Sequence, residues 1–153
     1  MNIILGSDDA GYKLKEELKT YVSKLGHNVL DIGCNSEKAI DYPLIAEKAC
    51  ETLLTSHYER AILVCGTGIG MAICANKFPG IRGAVCHDIY SAERARKSNN
   101  AQVLALGARV IGFELAKAIV SMWLVSEFTG GPSTRKISQI DELERKYRKM
   151  EAS

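Results

Sequence analysis

Neither sign of charge dominates this chain. Its 20 basic and 18 acidic residues leave a formal charge of +2, too little for the basic face that a nucleic-acid partner requires. No segment approaches the roughly 20 apolar residues needed to span a bilayer. The opening run MNIILGSDDAG has no basic region before its apolar stretch and soon turns acidic, so it does not read as a secretory signal. The expected location is cytoplasmic, with no membrane and no nucleic-acid partner. The five cysteines, Cys34, Cys50, Cys65, Cys74 and Cys86, are odd in number. None forms a C-x-x-C pair or has a histidine at zinc-finger spacing, which argues against a disulfide framework and a structural metal. Internal repeats and low-complexity stretches are absent too. What remains is 46% hydrophobic and 25% charged, the composition of a folded domain. A chain of 153 residues suits one domain, 1–153, with a substantial core.

Short apolar runs alternate with longer amphipathic ones. Asn2–Leu5, Asn28–Ile32, Arg60–Cys65, Gly83–Cys86 and Ala101–Leu106 read as strands. Tyr12–Leu25, Asp41–Thr55, a stretch from Gly70 to about Lys77, Tyr90–Lys97 and Gly112–Phe128 read as helices. This alternation predicts βαβ units: an α/β fold with a Rossmann-like three-layer α/β/α sandwich around a five-stranded parallel sheet. The Gly112–Phe128 helix is apolar almost all round, which predicts full burial or sharing with a second subunit. Beyond Gly130-Gly131-Pro132, a final helix from about Thr134 to Met150 carries Ile137, Ile140, Leu143, Tyr147 and Met150 in one stripe. It either closes its own domain or embraces a partner. The basic run Arg145–Lys149 reads as a solvated face.

In such a sheet, ligands bind at the carboxyl ends of the strands. Three polar or glycine-rich loops should converge there: Ser7–Gly11, Gly66–Gly70 and His87–Asp88. The strongest signal is Cys65 followed by Gly66-Thr67-Gly68-Ile69-Gly70. Glycines between a buried strand and a helix let backbone amides approach an anion. The spacing is neither G-x-G-x-x-G nor a P-loop, so nucleotide binding is disfavoured. A cysteine at the mouth of this cradle is either a buried structural residue or an activated thiol. As a thiolate it could attack an electrophile or move a proton while the amides hold an oxyanion. Cys74 and Cys86 read as structural. Asp8 and Asp9 are candidates either for sugar hydroxyls or for capping the first helix. Among the histidines, only His87 is placed to act.

The run Ile62–Arg82 (I-L-V-C-G-T-G-I-G-M-A-I-C-A-N-K-F-P-G-I-R) resembles the signature of the ribose-5-phosphate isomerase B and galactose-6-phosphate isomerase family. Gly6–Lys15, Asp41-Tyr42-Pro43, Tyr90-Ser91-Ala92 and Gly107–Gly112 extend the resemblance in the same order across nearly the whole chain. It implies a homodimer or a dimer of dimers with active sites between subunits. It also implies aldose–ketose isomerisation of a phosphorylated sugar, without cofactor or metal. By that resemblance Cys65 is the base between C1 and C2, and Thr67 and the amides of Gly66, Gly68, Ile69 and Gly70 hold the cis-enediolate. Asp8 holds sugar hydroxyls, Asn99 the reacting end, and Arg109 the phosphate.

Three positions depart from the ribose-type pattern. Asp8-Asp9 stands for Asp-His, Ser98 for a ring-opening His, and Gly130-Gly131-Pro132-Ser133 for Gly-Gly-Arg-His. Arg135 and Lys136 are the remaining candidates for phosphate charge. A tetrose 4-phosphate cannot close a furanose ring, because its O4 carries the phosphate, so it needs no ring-opening group. The segments His87–Ala95 and Ser98–Gln102 are similar to a branch linked with erythrulose 4-phosphate. Alternatively, His87 or Asp9 opens the ring of ribose 5-phosphate. A non-catalytic sugar-phosphate-binding subunit and a redox-sensing thiol protein are the competing classes. The retained Cys65 speaks against the first, and the lack of an evident resolving cysteine against the second.

Overall fold

A computed structural model describes the backbone of residues 1–151 and the side chains of residues 1–148. Five strands form one parallel sheet: β1 (Asn2–Ser7), β2 (Asn28–Asp31), β3 (Arg60–Cys65), β4 (Gly83–Val85) and β5 (Val103–Gly107). They lie in the order β2-β1-β3-β5-β4. The helices are α1 (Tyr12–Lys24), α2 (Tyr42–Thr55), α3 (Ile69–Ala75), α4 (Ile89–Lys97), α5 (Phe113–Val125) and α6 (Thr134–Glu151), with a single turn of 3₁₀ helix at Gly131–Ser133.

Side chains alternate across a strand with a period of two, and both faces of this sheet are covered. Ile3, Leu5, Ile62, Val64, Leu104 and Leu106 face α1, α4 and α5. Ile4, Ala61, Leu63, Val103 and Ala105 face α2 and α3. β3, the most apolar run, is buried along its whole length, as a central parallel strand must be. The fold is the expected three-layer sandwich.

Two element ends differ from the sequence reading for physical reasons. The helix that follows the glycine-rich loop ends at Ala75 because Asn76 turns its side chain onto the chain itself. Its amide donates to the Ala72 and Gly83 carbonyls at 2.9 and 2.8 Å. α5 stops at Val125 because buried Arg60 gathers its terminal carbonyls, donating to Trp123, Leu124 and Ser126. One side of α5 is buried, through Ala116, Ile119, Val120, Trp123 and Leu124, while Val125 is exposed.

α6 rests on its own chain mainly through polar contacts. Asp141 pairs with Arg82 at 3.0 Å, Glu144 accepts the Gly80 amide, and Arg148 donates to the Lys77 carbonyl. Ile137 is buried, yet Ile140, Leu143 and Tyr147 of the apolar stripe are exposed. Arg145, Lys146 and Arg148 are exposed as expected. The side chains of Lys149 and Met150 lie outside the described residues. No helix among the described residues is long and apolar enough to cross a membrane.

Candidate active site

The strand order changes direction between β1 and β3, and the crevice at the carboxyl ends of such a pair is the expected ligand position. Asp8 follows β1 and Cys65 ends β3. The Asp8 amide donates to the Val64 carbonyl at 3.2 Å, so the two loops are joined at their roots.

Cys65 is 4% exposed, and its Sγ accepts the Gly68 amide at 3.1 Å. Gly68 has a φ of 77°, and a β-carbon there would lie 3.0 Å from the Leu106 backbone. Only glycine meets both conditions. The turn thus aims a donor at the sulfur, where it stabilises negative charge. Among the described residues no other cysteine sulfur receives a backbone amide. Burial pushes the Cys50 thiol up to about 12 and the Cys86 thiol up to about 11. Burial raises Cys74 as well. Burial favours the thiol in all three, in line with the structural reading of Cys74 and Cys86.

The rest of the cradle is built from close backbone approaches. The Thr67 Oγ1 accepts the Ile69 amide at 3.3 Å. The Ala108 and Arg109 amides donate to the Cys65 and Gly66 carbonyls at 2.8 and 3.0 Å. A β-carbon on Gly107 would lie 2.8 Å from the Thr67 backbone, so glycine ends β5 where the cradle crosses it. A β-carbon on Gly66 would lie 3.2 Å from the Arg109 guanidinium, and one on Gly70 would lie 2.5 Å from the Tyr42 ring. Arg109 and Tyr42 therefore wall the mouth of the cradle.

Asp8 and His87 reach the same edge. Burial pushes the Asp8 carboxyl up from its usual range, and the Asp9 charge adds to this. The Gly11 and Ala10 amides and the Arg109 guanidinium oppose it. One Asp8 oxygen accepts the Gly11 amide at 3.0 Å, so Asp8 closes the turn that leads into α1 while the Arg109 charge acts on its carboxyl. The Asp9 carboxylate instead accepts the Ile40 amide at 3.2 Å, which directs it to the loop after β2. His87 accepts the Gly107 amide on Nε2 at 2.9 Å, leaving Nδ1–H as the ring's donor. Asp88 does not pair with His87; it caps α4 by accepting from the Ser91 amide at 2.7 Å.

Asn99, Arg135 and Lys136 are elsewhere. α4 carries the chain from the carboxyl edge back to the start of β5, leaving Asn99 at the amino edge. α5 makes the same return, so α6 and its exposed Arg135 and Lys136 also begin there. The six residues of β3, at about 3.3 Å each, separate the two edges by about 20 Å. Cys65, Thr67, Asp8, Arg109 and His87 come together within one chain, whereas Asn99, Arg135 and Lys136 do not join them.

Sequence reasoning missed Tyr42, whose only signal was its place before Pro43 at the start of α2. It also missed Arg94, whose Nη2 donates to the Ser98 hydroxyl. A serine four residues after an arginine on one helix was the available signal.

Known proteins match this chain along nearly its whole length. The family model described as Ribose/Galactose Isomerase matches residues 3–140. The chain is 47% identical over 148 residues to the ribose-5-P isomerase B of Listeria innocua, covering 97% of this chain and 100% of that one. It is 49% identical over 146 residues to the D-erythrulose-4-phosphate isomerase of Pectobacterium atrosepticum, covering 94% and 95%. Its fold superposes on the ribose-5-phosphate isomerase B of Clostridium thermocellum with a TM-score of 0.93 at 44% identity, covering 96% and 99% of the two chains. A sulfur held by an amide at the sheet's switch point, and matches running the length of the chain, lead to one conclusion: the chain belongs to the ribose/galactose isomerase family and is an isomerase of that family.

Proposed function

We propose that the chain interconverts an aldose and a ketose of a phosphorylated sugar, with Cys65 moving the proton. The observation that carries this is the Cys65 Sγ held at 3.1 Å by the Gly68 amide in the crevice between β1 and β3. The thiolate takes the proton from C2 of the aldose, and the C2–H electron pair forms the enediolate double bond. The negative charge passes to the former carbonyl oxygen, where the Gly66–Gly70 loop and Thr67 stabilise it. Cys65 then returns the proton to C1, giving the ketose after the hydroxyl proton moves between O2 and O1. Asp8 holds hydroxyls and Arg109 supplies positive charge. A positioned base of this kind contributes on the order of 10²–10⁴ in rate.

The site is completed by a second copy of the chain. Asn99, Arg135 and Lys136 stand at the opposite edge from Cys65, and only another molecule can bring such an edge to this sulfur. Leu44, Ile69 and Ile73, beside the cradle on α2 and α3, are exposed and suit an interface between copies. So do the exposed apolar residues of α6.

The ribose 5-phosphate/ribulose 5-phosphate pair is one substrate reading, carried by the names of relatives such as that from Listeria innocua. A second reading is the erythrose 4-phosphate/erythrulose 4-phosphate pair, favoured by the engagement of Ser98 with Arg94 and of His87 Nε2 with a backbone amide. Ser98 brings no imidazole to open a ring, and His87 keeps only its Nδ1–H free for that task. The test is turnover of both pairs, together with exchange of the substrate C2 hydrogen with deuterated solvent, for wild type and Cys65→Ala. The expected result is turnover and exchange lost by about 10²–10⁴ in the variant. Binding without exchange in wild type would mean a non-catalytic subunit.

A further inference from the structure

Most of the cations near the amino edge are neutralised. Arg82 pairs with Asp141 at 3.0 Å, Arg60 and Arg96 share Glu127, and Lys97 pairs with Glu93. Arg94 is different. Among the described residues it forms no ion pair, and its one hydrogen-bond partner is the Ser98 hydroxyl. A half-buried guanidinium with only a neutral partner keeps most of its five donors and all of its charge available to an anion.

Arg94 also occupies the junction of two cavities. One, of about 420 Å³, is lined by Asn99 together with Asn76, Ser91 and Arg82. The other, of about 520 Å³, is lined by Lys97, Glu127, Thr129, Gly130, Pro132 and Ser133, the Glu127 carboxylate being shared by Arg60 and Arg96. Pro132 and Ser133 bring no charge to that second wall, Lys97 is already paired, and neither Arg135 nor Lys136 lines either cavity. The unpaired positive charge between Asn99 and the Gly130–Ser133 turn therefore resides on Arg94.

We propose that Arg94 is the phosphate ligand of the substrate, held in place by Ser98 and presented to the Cys65 of a second copy. This rests on the isomerase reading above and names the residue through which that site distinguishes a phosphorylated sugar from a free one. A guanidinium fork matches two phosphate oxygens at once, which an ammonium cannot do. Ser98 suits this role because its short side chain lets the residue one turn earlier fold across it.

The test measures binding of inorganic phosphate by calorimetry and steady-state kinetics on both sugar phosphates, for wild type, Arg94→Met, Arg94→Lys and Ser98→Ala. Arg94→Met should weaken phosphate binding and raise KM by about 10- to 100-fold, the loss expected for a charge-assisted pair. Its kcat should stay within a few-fold and its melting temperature in phosphate-free buffer should not move. Arg94→Lys should recover part of the loss, and Ser98→Ala should shift KM in the same direction by less. Unchanged phosphate affinity and KM in folded Arg94→Met, or in Arg94→Gln should the Met variant not fold, overturns the assignment and leaves the isomerase reading intact, as does a wild type that binds no phosphate. A wild type that turns over no sugar phosphate, yet loses phosphate binding with Arg94→Met, removes the isomerase reading and keeps the anion site.

Discussion

At Cys65, five consecutive residues do two jobs. They end a buried strand and turn an amide back onto the sulfur, and the second depends on a backbone conformation that only glycine adopts cheaply. Gly68→Ala places a side chain at a φ of 77° against the Leu106 backbone, 3.0 Å away. The left-handed conformation alone costs about 1–2 kcal/mol. The variant should lose melting temperature, and kcat should fall more than KM rises, because the displaced amide acts on the reacting sulfur. Steady-state kinetics and a thermal melt check this; an unchanged kcat contradicts the role given to that amide. Much at this scale was legible in advance. Cys65, Thr67 and the glycines were readable because a strand, a cysteine and a glycine-rich turn form a local pattern. The close approach at Gly107 and the Tyr42 ring over Gly70 were not, because each depends on which loops the fold brings together.

At the scale of elements, α1 is tied to β2 by charge buried beneath the site. The Lys15 side chain has no exposure, and its ammonium donates to both Asp31 oxygens at 2.7 and 2.8 Å and to the Cys34 carbonyl at 2.8 Å. Lys19 donates to Asp31 as well, at 2.7 Å. Burial favours the neutral acid, but the two ammonium groups and the Gly33 amide hold the Asp31 carboxyl down at about 2, against an ordinary value of 3.8. A carboxylate with a lowered folded-state pKa adds stability once ionised and loses it as pH falls through that pKa. Melting temperature should therefore be insensitive to this pair above about pH 5 and should drop from there toward pH 2. Asp31→Asn should start less stable at neutral pH and show a shallower acid limb. An acid limb as steep as that of wild type rules the pair out as its cause. The burial of Lys15 was not legible, because periodicity assigns a lysine in an amphipathic helix to solvent by default. The strands themselves were legible almost to the residue in β3, where burial on both faces leaves a continuous apolar run. Helix ends were less so: Arg60, at the start of β3, stops α5 more than sixty residues later in the chain, a contact no local window contains.

For the whole molecule, the decisive fact is topological. Each of α1 to α5 returns the chain to the amino edge, so residues that follow strands and residues that precede them cannot meet within one copy. A resemblance lists Cys65 and Asn99 side by side, because motif order carries no positions in space. The fold separates them by the length of β3. In the proposed two-fold pair there are two equivalent sites, each built from the carboxyl edge of one copy and the amino edge of the other. The most direct measurement is complementation. Cys65→Ala and Asn99→Ala are each purified, confirmed as folded and nearly inactive, then unfolded together in equal amounts and refolded. If the edges meet across the interface, half of the resulting pairs are mixed and each mixed pair has one intact site. Activity should then return to about one quarter of wild type. Mixtures that remain as inactive as their components would contradict a site shared between copies and require Asn99 to act elsewhere.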